Sequence, residues 1–473
     1  MLRRVLLSPA VWVVLLWAVA VLPNLSVRSF IWEEGNNAAI ARDVLARGDL
    51  LEPAIFGLRA AEKPALLSWL IAGTARLTGT VDERSARLPA MLTVLGTALL
   101  VQRLVRRSAG APAALFAAGA FMFSPLVLRK LTISEPDTLV TFCSFAAFVV
   151  WWEGEAREHV TVARWLACGG LLTAVAMAKG PQPVGFFALG VGGYLVLRRR
   201  WAALPGLALC LGIPAAATIA WAEAVYRPGD FTVWFTYLRL HDLGVNLTHY
   251  ARERVLFAGG LPLDLLPSTI LLPSILIAWW TRRRVGMPPS LIIVPLALYA
   301  SLCTLALLVW PGTKTRYAMP IAPAVAVMAG LAIDHLWRLR QWTARVALAT
   351  GAILFVYQVV LVTVVLSLFP ERFGAQRRLS VDVDAAIRTA PAPLFTIGVP
   401  RSNQLFYVTW PIQTLTLPDP TLAAPAWVLA PRSDLGRLEE LRPDLAVQEV
   451  TIPSVSPDLA LARIEWRPGR PRG

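Results

Sequence analysis

Eleven runs of apolar residues divide most of this chain, near 8–27, 85–102, 111–128, 136–152, 164–178, 183–197, 203–222, 260–280, 290–310, 318–335 and 345–368. A helix rises about 1.5 Å per residue and the hydrocarbon layer is about 30 Å thick, so roughly 20 such residues make one crossing. Of the 473 residues 56% are hydrophobic and only 16% are charged, where a soluble domain would carry about 25% charged residues. A polytopic α-helical membrane protein is the class this pattern permits.

The net charge of +15 could suggest nucleic acid, but the basic residues lie mainly in short clusters beside apolar runs. They are Arg3–Arg4, Arg103 with Arg106–Arg107, Arg198–Arg200, Arg282–Arg284, and Arg338, Arg340 and Arg345. Such clusters fix membrane topology rather than a ligand. If the short segment 64–79 is juxtamembrane or re-entrant, every cluster falls on the cytoplasmic side. That gives about eleven spans, with the N-terminus inside and the C-terminus outside. No convincing small-residue cleavage site follows the first run, so it is expected to stay as an uncleaved span. Cys143, Cys168, Cys210 and Cys303 all lie in apolar runs without CxxC spacing, which indicates neither a zinc cluster nor a disulfide framework.

The polar stretch Phe30–Leu66 breaks the pattern, carrying Glu33, Glu34, Arg42, Asp43, Asp49, Glu52, Arg59, Glu62 and Lys63. An unpaired charge at the bilayer centre costs about 2.5 kcal/mol or more, so this stretch belongs in water or at the interface. Ala38, Ala39, Ile40, Val44 and Leu45 recur at helical spacing and predict an amphipathic helix that starts at Glu33 and Glu34. On the topology above, this loop, the Ser134–Asp137 turn, the Lys179–Pro181 turn, the polar loop 223–259 and the Gly312–Tyr317 turn all emerge on the extracytoplasmic face. After Leu368 the composition changes. Short runs at 394–398, 405–410, 426–431 and 461–466 predict the strands of a small extracytoplasmic α/β domain over 370–473, with a helix near Leu435–Leu441. A covering or docking role suits it, since nothing in it looks catalytic.

Read as residues alone, the candidates keep two meanings each. Glu33 and Glu34 are either a solvated helix start favoured by the dipole or carboxylates presented to a bound molecule. Glu135 and Asp137 either cap the span that follows or face a site. Lys63, Lys179, Lys314 and Arg316 either meet headgroups at a membrane boundary or bind a phosphate. His241 is either structural or a ligand.

The order of residues from Glu33 to Trp69, an acidic pair followed by AxxIARDxLxRGDLxxPxxxGLRxxEKPxLLxW, resembles the first extracytoplasmic loop of the aminoarabinose (lipid A) transferase family. These are GT-C glycosyltransferases related to the protein O-mannosyltransferases. AKGP at Lys179, the His241 segment and WPGTKTRYAMPIAP at 310–323 follow in the family's order. The resemblance implies a GT-C fold of about 11–13 transmembrane helices, with a membrane domain over 1–369 whose loop 28–82 is extracytoplasmic, and a C-terminal α/β domain over 370–473. It implies an inverting glycosyltransferase of the bacterial inner membrane that uses a polyprenyl-phosphate sugar, no nucleotide cofactor, and an envelope acceptor such as a lipid A-like glycolipid, another glycan or a protein. Residue by residue, it makes Glu33 the first catalytic carboxylate, one methylene longer than the family's usual Asp, with Glu34 beside it. Asp137, or Glu135 in its place, becomes the second, facing the first across the cavity. Lys63, Lys179, Lys314, Arg316 and Tyr317 become donor-phosphate ligands, and Glu62 with His241 the pair that can hold a divalent metal ion. The family's arginine after this histidine falls at Val245 or Asn246, so that phosphate contact is lost or passes to Arg239, Arg252 or Arg254. The alternative readings are a lipid-linked-sugar flippase or transporter, and a lipid-binding homologue without catalysis. A nucleotide-sugar enzyme is disfavoured, since no Gly-rich phosphate loop or Rossmann fingerprint occurs.

Overall fold

A computed structural model describes residues 8–60, 63–228, 247–274, 292–338, 342–398, 402–417, 422–454 and 458–467. The chain divides into two compact units, one of Met1–Leu25, Glu62–Leu70 and Arg87–Val365, the other of Ser26–Ala61, Ile71–Ala86 and Leu366–Gly473.

The first unit is helical because its apolar runs leave the backbone no partner but itself in hydrocarbon. Among the described residues five helices are long and apolar enough to cross a membrane by length and composition: Glu83–Met122, Val162–Lys179, Trp201–Val225, Thr315–Ile333 and Trp342–Leu368. Thr248–Asp264 and Ser268–Ser274 form a pair bent by 91°, and Pro9–Val21, Val184–Leu197 and Ile293–Val309 are shorter apolar helices. The runs expected at 85–102 and 111–128 are two helices within Glu83–Met122, parted by the non-helical Gly110 (φ 83°). The polar loop expected over 223–259 is helical from Leu247, where Leu247–Asp264 begins. Arg254 donates to the carbonyls of Leu307 (3.1 Å) and Leu308 (3.3 Å), satisfying the last turn of Ile293–Val309.

The helix Pro136–Glu155 is buried on almost every side, and an apolar helix without a polar stripe belongs inside a bundle. It packs on Val162–Lys179, which packs in turn on Leu204–Val225. Both of its ends carry carboxylates paired with cations. At one, Glu153 pairs with Arg103 (2.6 Å) and Arg107 (3.2 Å), and Glu155 with Arg200 (3.1 Å). Asp137 stands at the other, sixteen residues and about 24 Å away.

The second unit joins the polar stretch to the C-terminal residues. A hairpin of β1 (Ala54–Ile55) and β2 (Leu58–Arg59) precedes a five-stranded sheet of β3 (Leu394–Ile397), β4 (Ile412–Leu415), β5 (Ala426–Pro431), β6 (Leu445–Val450) and β7 (Leu459–Trp466). The order is β4-β3-β5-β7-β6, with β3 parallel to both neighbours and the rest antiparallel. AWVLAP reads as a continuous apolar run because β5 is central and covered on both faces. The helix Ala375–Thr389 covers one face with Leu379, Val383 and Ile387, while Arg432–Leu441 covers the other with Leu435 and Leu438. One strand expectation fails. Residues 405–410 are not extended; Ser402–Leu405 is a short helix followed by a turn, and the strand lies later, at β4. Leu405, Phe406 and Val408 are buried by packing of a turn, which in so short a run mimics strand alternation.

Candidate functional site

In the first unit the candidates gather where three helix ends meet. Asp137 occupies the first turn of Pro136–Glu155, where the helix dipole favours a negative charge. Lys179 is the last residue of Val162–Lys179, stopped there by Gly180, whose φ of 88° suits only glycine. The Lys179 ammonium forms an ion pair with Asp137 Oδ1. It also lies 5.1 Å from the centre of the Tyr317 ring, which Arg316 approaches at 5.2 Å. One aromatic ring thus has two cations as neighbours.

Beside them Lys130 and Glu135 form a buried ion pair. Glu135 stands at the N-cap position but makes no capping bond. Lys179, Lys130 and Arg316 all act electrostatically on Asp137. Three cations face two carboxylates, a surplus suited to the oxygens of a phosphate. Lys314 is exposed at the start of the turn Thr315–Ile321. Lys63 is half-buried in the same unit, just before the helix Leu66–Thr78. Glu62 and His241, expected as metal ligands, lie outside the described residues, as do Arg239, Val245 and Asn246. Among the described residues no three metal-ligating side chains converge.

In the second unit, Glu33 is the N-cap of the helix Glu34–Arg47, half-buried, and makes no capping hydrogen bond itself. Glu34 has a different environment. It is fully buried, accepts from the Ile31 amide (3.1 Å) and pairs with Arg28 (3.6 Å), so it braces the turn. Residues that sequence reading passed over surround this turn. Asn403 bonds to both the Trp32 carbonyl and the Gly35 amide, and the Tyr407 hydroxyl accepts from the Phe30 amide at 2.8 Å. Arg377 pairs with Glu83, and Tyr407 donates to the same Glu83 oxygen at 2.6 Å. Burial, reinforced by Glu83, pushes the Tyr407 phenol well above its usual range. Arg42, Glu83, Arg377, Phe406 and Tyr407 line a cleft of about 440 Å³. No charge or spacing in the SNQLFYVTW segment announced these contacts.

The profile of the family described as dolichyl-phosphate-mannose-protein mannosyltransferase matches residues 62–222. The undecaprenyl phosphate-alpha-4-amino-4-deoxy-L-arabinose arabinosyl transferase of Aeromonas salmonicida is 28% identical over 328 residues, covering 64% of this chain and 56% of that protein. The chain thus spans little more than half the length of the curated relatives it matches. Among solved structures, ArnT from Cupriavidus metallidurans bound to undecaprenyl phosphate aligns with a TM-score of 0.71 at 17% identity, covering 96% of this chain and 97% of that one. The Archaeoglobus fulgidus oligosaccharyltransferase in complex with Zn and sulfate aligns at 0.51, with 11% identity, over 95% of this chain and 72% of that one. These similarities identify the GT-C fold.

Proposed function

We propose that this chain, a GT-C-fold relative of the undecaprenyl-phosphate aminoarabinose transferases, is an integral-membrane inverting glycosyltransferase. It moves a sugar from a polyprenyl-phosphate donor to an envelope acceptor, a lipid A-like glycolipid in the first instance. The observation that carries the reading is the Asp137–Lys179 pair beside Tyr317 and Arg316, a carboxylate and phosphate-seeking cations built from three separate helix ends.

In the proposed reaction an acceptor oxygen attacks the anomeric carbon, the bond from that carbon to the phosphate oxygen breaks, and polyprenyl phosphate leaves. Glu33 and Asp137 orient the acceptor and take its proton. Lys63, Lys179, Lys314, Arg316 and Tyr317 hold the departing phosphate, where charge grows in the transition state. Glu34 supports the turn that carries Glu33. Glu62 and His241 are the residues that would hold a divalent ion, which would supply a Lewis acid. The domain assignment is a membrane catalytic domain over 1–369, with the loop 28–82 and the domain 370–473 outside the cytoplasm and the N-terminus inside. The gathering of Arg103, Arg107 and Arg200 at the Glu153 end of one helix, opposite Asp137, supports it.

The test is label transfer in reconstituted membranes from radiolabelled polyprenyl-phosphate sugars to an envelope lipid extract. Wild type is expected to transfer label, while Glu33→Gln and Lys63→Ala, expressed at the same level, are not. Full activity of either variant overturns the role given to that residue. Binding of polyprenyl phosphate without transfer from any donor would favour a transporter or an inactive lipid binder.

A further inference from the structure

Glu33 is set by a residue it does not touch in sequence. The helix Glu34–Arg47 begins immediately after it, and the first amides of a helix need acceptors from outside. An N-cap side chain normally accepts from the second or third helical amide, yet Glu33 makes no such bond. The acceptor is Asn403 Oδ1, which takes the Gly35 amide, the second of the helix, at 2.9 Å. The same side-chain amide donates through Nδ2 to the Trp32 carbonyl at 2.5 Å. Because one partner only donates and the other only accepts, the orientation of the Asn403 amide is fully determined. Asn403 therefore grips the peptide groups on both sides of Glu33.

Two further features show that the grip is built in. Trp32 has φ of 51°, a left-handed conformation that costs an aromatic residue energy and persists only when its surroundings hold it. Gly35 allows the approach. A Cβ there would stand 2.6 Å from both the Asn403 backbone nitrogen and its Oδ1. The neighbouring residues fasten the same segment, with the Phe30 ring edge-on to Phe406 at 4.8 Å and Ser402 and Leu405 buried beneath.

We propose that Asn403 is the positioning residue for Glu33: it takes the helix amide that an N-cap side chain would otherwise accept, and so fixes the backbone that carries the Glu33 carboxylate. The proposal rests on the reading of Glu33 as the catalytic carboxylate. A control on Glu33 itself separates failure of one from failure of the other.

The experiment measures transfer kinetics against pH for the full chain in membranes, with Asn403→Ala, Asn403→Asp and Glu33→Gln, and hydrogen exchange across residues 33–36. Asn403→Ala is expected to lower kcat by roughly tenfold to a hundredfold, as small misplacements of reacting groups do, with the donor KM unchanged. It should also lose protection of the Gly35 amide. Asn403→Asp keeps the acceptor and the Gly35 protection. It places a negative charge beside Glu33, so the acid limb of its pH profile should move to higher pH, a shift that a merely structural role would not produce. Wild-type kcat in Asn403→Ala with Glu33→Gln inactive overturns the positioning role alone. An unmoved acid limb in Asn403→Asp does the same, even if Asn403→Ala fails to fold. Full activity in Glu33→Gln overturns the catalytic reading on which the proposal stands.

Discussion

Asp137 and Lys179 come from different helices and meet as a largely desolvated pair. Breaking a buried pair from one side leaves an uncompensated charge, whereas removing both partners leaves none. Asp137→Ala and Lys179→Ala are each expected to destabilise the protein by about 2–4 kcal/mol, and the double variant by less than the two together. Unfolding in detergent checks this; strict additivity would mean that the pair does not interact. Both residues stand out in the sequence, each in a turn at the end of an apolar run, but their partnership is not legible there. Forty-two positions and a helix reversal separate them, and only the packing of Pro136–Glu155 on Val162–Lys179 brings them together. The buried partnership of Lys130 with Glu135 is local, five positions apart, and was missed because neither charge was expected to be buried.

The segment Ser402–Thr409 is the element whose role was least readable. Its apolar residues resembled a strand, and they instead pack a turn that binds three other stretches. Tyr407 is its hinge pin, accepting from Phe30 and donating to Glu83. Its phenol is held up chiefly by burial and then by the Glu83 charge, so the folded value exceeds the unfolded value of about 10. A raised folded value contributes stability that is fully present below pH ~10 and is lost as pH rises beyond it. Tyr407→Phe should therefore flatten the alkaline fall in unfolding free energy, read between pH 8 and 11; an identical slope in the two proteins would refute it. By contrast, the helix Glu34–Arg47 was visible beforehand from its apolar spacing, because one face is buried. The central strand Ala426–Pro431 was equally plain from its unbroken apolar run. Periodicity reports which face an element buries, and is silent on which distant side chain completes its end.

For the whole molecule, the apolar runs carried the helical architecture, since bilayer thickness leaves few ways to arrange a chain so apolar. The break at Gly110 falls between two runs that the sequence already separates, whereas the helical start at Leu247 escaped because it does not alter the count of apolar residues. The topology makes a direct prediction. All four cysteines are buried, so in a cysteine-free background a single Lys314→Cys should react with an impermeant maleimide added outside intact cells. Arg107→Cys should react only after the membrane is opened. The reverse pattern would invert the proposed orientation.

The contact of Asn403 with Gly35 spans 368 positions, and this gives the protein a timetable. A ribosome adding about 5–20 residues per second makes Glu33 tens of seconds before Asn403 exists. Throughout that interval the membrane helices can insert and pack, while the turn that carries Glu33 waits without its cap. Competence at this turn therefore arrives with the last quarter of the polypeptide. A nascent chain halted before that point would carry almost every span and still lack a set glutamate.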